Sequence, residues 1–234
     1  MIAASLYLHF LAEGLAKSSD HNWVISQFKK GGPIMWPILL VSILAVTVIL
    51  ERLFWWFRQK ALRESSKLEK AFEYIENGDL KEASELARTS QDPRLRTIWH
   101  GLNHHHTTMQ SALQVASGIE IQRASRFLMI MDTTITLAPL LGLLGTVTGI
   151  MAAFNAVGQN GLEVDAVSSG IGEALIATAC GLTVAMCTLI PYNWFTSKVE
   201  RLKFELETAS TNLEVMLQNL NRDTANASDL EHTA

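Results

Sequence analysis

The chain has 234 residues, of which 48% are hydrophobic and 18% charged, and it carries a formal net charge of -4. That balance suits a membrane protein with substantial aqueous parts. It leaves no overall basic footprint for nucleic acid, and no zinc-knuckle, basic-helix or stacking-aromatic pattern supplies one. Cys180 and Cys187, the only cysteines, share one apolar segment in which a thiol behaves as a small hydrophobe, so they say little about redox compartment.

In chain order, residues 1–32 begin MIAASLYLHFLAEGLAK. This stretch has no basic leader, Glu13 closes its apolar part, and no small-residue cleavage site follows. It reads as an amphipathic helix at the membrane surface. A bilayer core needs about 20 mostly apolar helical residues, and three segments supply them. Residues 33–57 hold PIMWPILLVSILAVTVIL, then Glu51-Arg52 and LFWWF. Residues 127–155 are interrupted by a charge only at Asp132, and residues 168–195 contain Glu173. A soluble helical protein can bury one such helix; three make an all-α membrane protein the expected fold.

Residues 58–126 read as a helical domain. Leu68, Phe72 and Ile75 recur on one face, Asn77-Gly78-Asp79 punctuates, Leu80 to Arg88 is a second short helix, and Asp92-Pro93 breaks again. Residues 156–167 are a link. Over residues 196–221, continuing from Phe195, the series Val199, Leu202, Leu206, Ala209, Leu213, Met216 and Leu220 forms a heptad seam that asks for a partner helix. Residues 222–234 lack periodicity and are expected to be disordered.

Orientation follows from the basic residues near the spans. Arg52, Arg58, Lys60, Arg63, Lys67 and Lys70 follow the first, Arg123 and Arg126 precede the second, and Lys198, Arg201 and Lys203 follow the third, whereas the link has none. The positive-inside rule places the N-terminus and the link outside and the polar domain and C-terminus inside, with Lys29 and Lys30 as a minor contrary signal. Trp55 and Trp56 with Arg52 and Arg58 form an inner aromatic and basic belt, a candidate lipid contact.

Two spans carry small-residue faces. Gly142, Gly145, Thr146 and Gly149 share one, and Gly170, Glu173, Ala174, Ala177, Thr178, Gly181 and Ala185 share another. Close helix packing accounts for the glycines and alanines. Glu173 is costly inside a span unless it faces a bundle interior, a watery cavity or the outer headgroups. Thr146 and Thr178 lie at one depth, roughly 14 Å from the outer link at 1.5 Å per residue. They either bond their own helix backbones or line a polar path. Asp132 is expected to pair with a neighbouring arginine or to accept exiting protons. His100 and His104, with His105 and His106, have a metal-compatible spacing but no completing carboxylate or cysteine, and read as a solvated cluster. No Walker loop, GxSxG or HExxH points to an enzyme, and no cofactor or metal is expected.

APLLGLLGTVTGIM (Ala138 to Met151) and GIGEALIATACGLTVA (Gly170 to Ala185) resemble the signature segments of the MotA/TolQ/ExbB proton-channel family. Three spans and an outside N-terminus are similar to its ExbB/TolQ branch, and GGPIMWPILL and ERLFWW to ExbB-type members. The resemblance implies that Thr146, Thr178 and Glu173 face a pore. It also implies a homopentameric ring in a bacterial inner membrane, with a periplasmic N-terminus and a cytoplasmic C-terminus. An ExbD/TolR-type single-span partner would sit in the ring and supply an aspartate, and proton flow would drive a TonB- or TolA-type transducer. Cys180, where a small aliphatic residue is usual, and the extra charge Asp132 depart from the pattern. The rival reading is a non-conducting membrane scaffold that uses the small faces only to assemble.

Overall fold

The computed structural model describes residues 28, 31–104, 109–160 and 164–232, and no strand occurs among them. The helices are α1 (Met35–Ala61), α2 (Ser65–Glu76), α3 (Leu80–Arg88), α4 (Pro93–Asn103), α5 (Met109–Ala124), α6 (Leu128–Asn160) and α7 (Val164–His232). Most of the expected helix over residues 1–32, together with His105 and His106, lies outside the described residues. Three stretches are long and apolar enough to cross a membrane: Met35–Ala61, Leu128–Asn155 and Ser168–Arg222.

Two boundaries differ from the sequence reading. Helix α6 continues to Asn160 and α7 begins at Val164, so most of the expected link is helical. Helix α7 also runs past Arg222 to His232, through residues assigned above to a disordered tail. Loss of apolar periodicity removes packing but not helix propagation, which adds a hydrogen bond for each residue fixed. Residues 222–232 contain no Gly or Pro to stop it.

The chain forms two compact units, Met1–Ile49 with Ile130–Pro191 and Leu50–Met129 with Tyr192–Ala234. In the first unit, α1 buries Met35, Ile38, Val41, Ala45 and Val48 along one helical stripe while Leu40, Ile43 and Leu44 face outward. Met35 and Ile38 meet Ala177, and Val41 meets Ala138 and Ala185. Pro139 and Pro191 lie inside α6 and α7, where a membrane helix tolerates them because neighbours re-satisfy the freed backbone groups.

The second unit is built around large aliphatic side chains. Ile75, Ile98, Leu102, Leu113, Leu213 and Leu217 meet in one buried cluster with Ala83 and Ala209. Ala124, Leu202 and Leu206 form another, flanked by Trp55, Trp56 and Val199. The seam of α7 is therefore covered by helices of its own chain. Leu217, rather than Met216, is its buried residue near the end, because a straight helix of 3.6 residues per turn drifts from a strict seven-residue repeat. Gly78 takes φ +83° in the turn between α2 and α3, a conformation that suits glycine. Asp92 caps α4 by accepting from Arg94 N–H at 3.0 Å, with Pro93 at the first helical position.

Candidate functional site

Helices α6 and α7 run antiparallel over residues 138–153 and 170–185, in a register read from their small residues. Gly170 sits on Ala153, Ala174 on Gly149, Ala177 on Gly145, and Gly181 on Gly142 and Ala138. A methyl group on Gly142 would lie 2.9 Å from Cα of Thr178, and one on Gly145 would lie 2.7 Å from Cβ of Ala177. Backbone thus meets backbone, an approach only small side chains allow.

This close approach lets a threonine hydroxyl of one helix reach a carbonyl of the other. Thr178 Oγ1 donates to the carbonyl of Gly142 at 2.7 Å, from one helix to the other. In an α-helix that carbonyl also accepts the N–H of the residue four further on, which is Thr146. Thr146 Oγ1 itself donates to Leu143 O at 2.7 Å, within its own helix. One hydroxyl therefore bridges helices and the other back-bonds locally.

Glu173 is placed differently. Its carboxyl lies directly over Gly32, which takes φ +70° just before α1, where any β-carbon would collide with it. It stands 40° round the helix from Ala177 at 100° per residue, and Ala177 packs on Met35 and Ile38 of α1. Within one chain the carboxyl is turned toward the head of α1. Glu173 and Thr178, five residues apart, stand 140° apart and do not share a narrow stripe.

The remaining sequence candidates separate. Asp132 is exposed, and among the described residues no ion pair joins it, so the expected pairing with an arginine is not found. Its carbonyl accepts from Thr136 Oγ1 at 3.3 Å. His100 packs edge-on to Trp99 at 4.7 Å; burial, with Arg96 and His104 nearby, lowers its pKa from the ordinary value. No group of three metal-ligating side chains occurs among the described residues.

Arg52 is only 1% exposed, which removes it from the candidate lipid contacts. Its Nη2 donates to Glu51 Oε1 at 2.7 Å and its Nη1 to Arg123 O at 3.2 Å, at the end of α5, while the guanidinium lies 5.2 Å from the Trp55 ring and 5.5 Å from that of Phe127. A cation on the last carbonyls of a helix complements its dipole. Phe127, with φ 66°, lies in the short connection between α5 and α6. Trp55 and Trp56 are half-buried, and Arg58 is exposed.

Residues 82–208 match the MotA/TolQ/ExbB proton channel family. The chain belongs to this family. An ExbB-like biopolymer transport protein of Synechocystis sp. is 36% identical over 177 residues, covering 72% of this chain and 69% of its own length. Biopolymer transport protein ExbB of Neisseria gonorrhoeae is 42% identical over 83 residues, 35% of this chain and 38% of its own. The Tol-Pal system protein TolQ of Haemophilus influenzae is 37% identical over 93 residues, 39% of this chain and 41% of its own.

The family match takes in both threonines and Glu173 but not α1, so Gly32 falls outside it. Sequence reasoning missed Gly32 and the buried place of Arg52. The signal for Gly32 was present, as a Gly31-Gly32-Pro33 turn at the outer level where Glu173 was expected. Arg52 gave none, since a basic residue at the inner end of a span looks the same whether it meets lipid or carbonyl oxygen.

Proposed function

We propose that this chain is the proton-conducting subunit of an ExbB–ExbD-type motor in a bacterial inner membrane. In this reading it is a homopentamer with a periplasmic N-terminus and cytoplasmic α2–α5. An ExbD/TolR-type single-span helix sits in the ring, and proton flow energises a TonB-type transducer for outer-membrane import. Family membership supports the class. The observation that carries the mechanism is the hydrogen bond from Thr178 Oγ1 across to the Gly142 carbonyl of the neighbouring helix.

A mid-membrane aspartate supplied by the partner needs a donor when ionised and an acceptor when protonated, and a hydroxyl offers both. Thr178 can turn its proton from Gly142 O to such a carboxylate without stranding that carbonyl, which keeps its helical bond from the Thr146 N–H. Thr146 can do the same, because Leu143 O keeps its own helical bond. Glu173 acts at the outer mouth, level with the first turn of α1, where a helix N-terminus favours negative charge. Gly142, Gly145, Gly149, Ala177 and Gly181 hold the two helices close enough for Thr178 to reach the Gly142 carbonyl.

The similarity to TolQ favours one second reading, a TolQ-like subunit with a TolR-type partner and a TolA-type transducer serving envelope maintenance. Co-expression with single-span candidates carrying an intramembrane aspartate tests both. The expected result is co-purification with one of them and proton flux in proteoliposomes only when both chains are present. A chain that assembles with neither, or flux unchanged by the partner, would overturn the proposal.

A further inference from the structure

At the basic ends of α1 and of the apolar part of α7 the second unit holds a cleft of about 380 Å³. Its apolar and aromatic lining is Leu53, Trp56, Phe57, Trp194 and Leu202. Its charged lining is five basic side chains against two acidic ones. Arg94 pairs with Asp92 at 2.6 Å, and Arg63 and Arg201 share Glu205 at 2.6 and 3.3 Å. Two carboxylates against five cations leave an excess of three positive charges. Lys60 and Lys198 have no ion pair among the described residues, and Lys198 Nζ rests 5.5 Å from the Trp194 ring.

We propose that this cleft binds the phosphate headgroup of an anionic glycerophospholipid, with Lys60, Lys198 and Arg201 meeting the phosphate and an acyl chain lying along Phe57 and Trp194. Three features converge on that ligand. Leu53 to Lys60 form the basic end of one candidate span, and Trp194 to Glu205 lie in another just beyond its most apolar part, which suits headgroup depth. Its aromatic wall continues into exposed apolar surface, Phe57 being 65% exposed and Phe54 beside it more so. That surface is matched to an acyl chain and of no use to a soluble anion. Its surplus charge is positive, and basic pockets between spanning helices suit acidic headgroups. The site lies within one chain and differs from the aromatic and basic belt of the sequence reading, since Arg52 is buried elsewhere and Lys198 and Arg201 belong to α7. It stands whether or not the protein conducts protons.

The test titrates the full-length protein in detergent with short-chain phosphatidylglycerol or phosphatidylcholine and follows tryptophan fluorescence. Phosphatidylglycerol should bind roughly tenfold tighter or more. Lys60→Gln/Lys198→Gln should bring the two lipids within about threefold, while melting in phosphatidylcholine stays as in the wild type and Lys81→Gln, at an exposed position of α3, leaves the preference intact. Equal binding of the two lipids, or a preference unchanged in the double variant, overturns the site. Inorganic phosphate displacing the lipid at comparable concentration overturns the lipid assignment in favour of a soluble anion.

Discussion

The two units of this chain bury opposite kinds of side chain. In the first, contacts between α6 and α7 are made by Gly142, Gly145, Gly149, Ala174, Ala177 and Gly181. In the second, Ile75, Ile98, Leu113, Leu206 and Leu213 are fully buried. What is exposed is reversed as well, since Leu40, Ile43, Leu140 and Ile190 face outward in the spans. The difference is one of solvent. In water, burying apolar area drives folding at about 25 cal/mol per Å². In lipid that drive is absent between helices, and close van der Waals approach with interhelical hydrogen bonds replaces it. Bulky side chains there are left for lipid or for other copies, and the helix contact goes to residues that let a threonine reach a carbonyl.

The largest expected effect is at Leu213, wholly enclosed with Ile98, Leu102 and Leu113. Leu213→Asp buries an unpaired charge and should destabilise the second unit by roughly 4 kcal/mol or more. Rapid limited proteolysis of α2–α5 in detergent would register it; wild-type resistance would mean that the seam does not pack as described.

A sharper comparison sets two similarly exposed residues in different solvents. Ile43 is 57% exposed and Val215 50%. Ile43→Asp should cost about 3 kcal/mol on insertion scales and reduce the membrane-integrated fraction. Val215→Asp should change stability by no more than about 0.5 kcal/mol. Equal tolerance of both in membrane fractionation would break the distinction.

Asp92 gives a smaller, pH-marked effect. Burial pushes its carboxyl up, but hydrogen bonds from the Arg94 side chain and from the Arg94 and Glu64 N–H groups prevail and hold it below the ordinary 3.8. The stability this provides is fully present above that ordinary value and is lost only as pH falls through the lower folded value. Asp92→Ala should therefore cost about 2–3 kcal/mol at pH 7. Thermal melting of variant and wild type should converge only in strong acid, and convergence near neutral pH would contradict the assignment.

Much of this was legible in the sequence because hydropathy and breakers report on local physics. The three apolar stretches, the Gly78 turn and the Asp92-Pro93 start of α4 need no knowledge of neighbours. The seam of α7 was legible as an apolar face, but periodicity names the face and not what covers it, which proved to be residues such as Ile98 and Leu113 of the same chain. The site divides similarly. Thr146 and Thr178 were selected by depth, yet the reach of Thr178 to the Gly142 carbonyl depends on helix register, and Glu173 over Gly32 depends on a contact 141 positions away in sequence, from 32 to 173. The helical continuation to His232 was missed because absence of apolar periodicity was taken for absence of helix.

The most direct test of the polar path is proton flux in proteoliposomes holding the chain with its single-span partner, compared between wild type and Thr178→Val at matched assembly. Valine keeps the shape but removes the hydroxyl that reaches Gly142, at a stability cost of about 1 kcal/mol for an interhelical bond in a membrane. The account predicts a complex that still purifies intact and whose flux falls to the level of vesicles lacking the partner. Wild-type flux from that intact complex would contradict it.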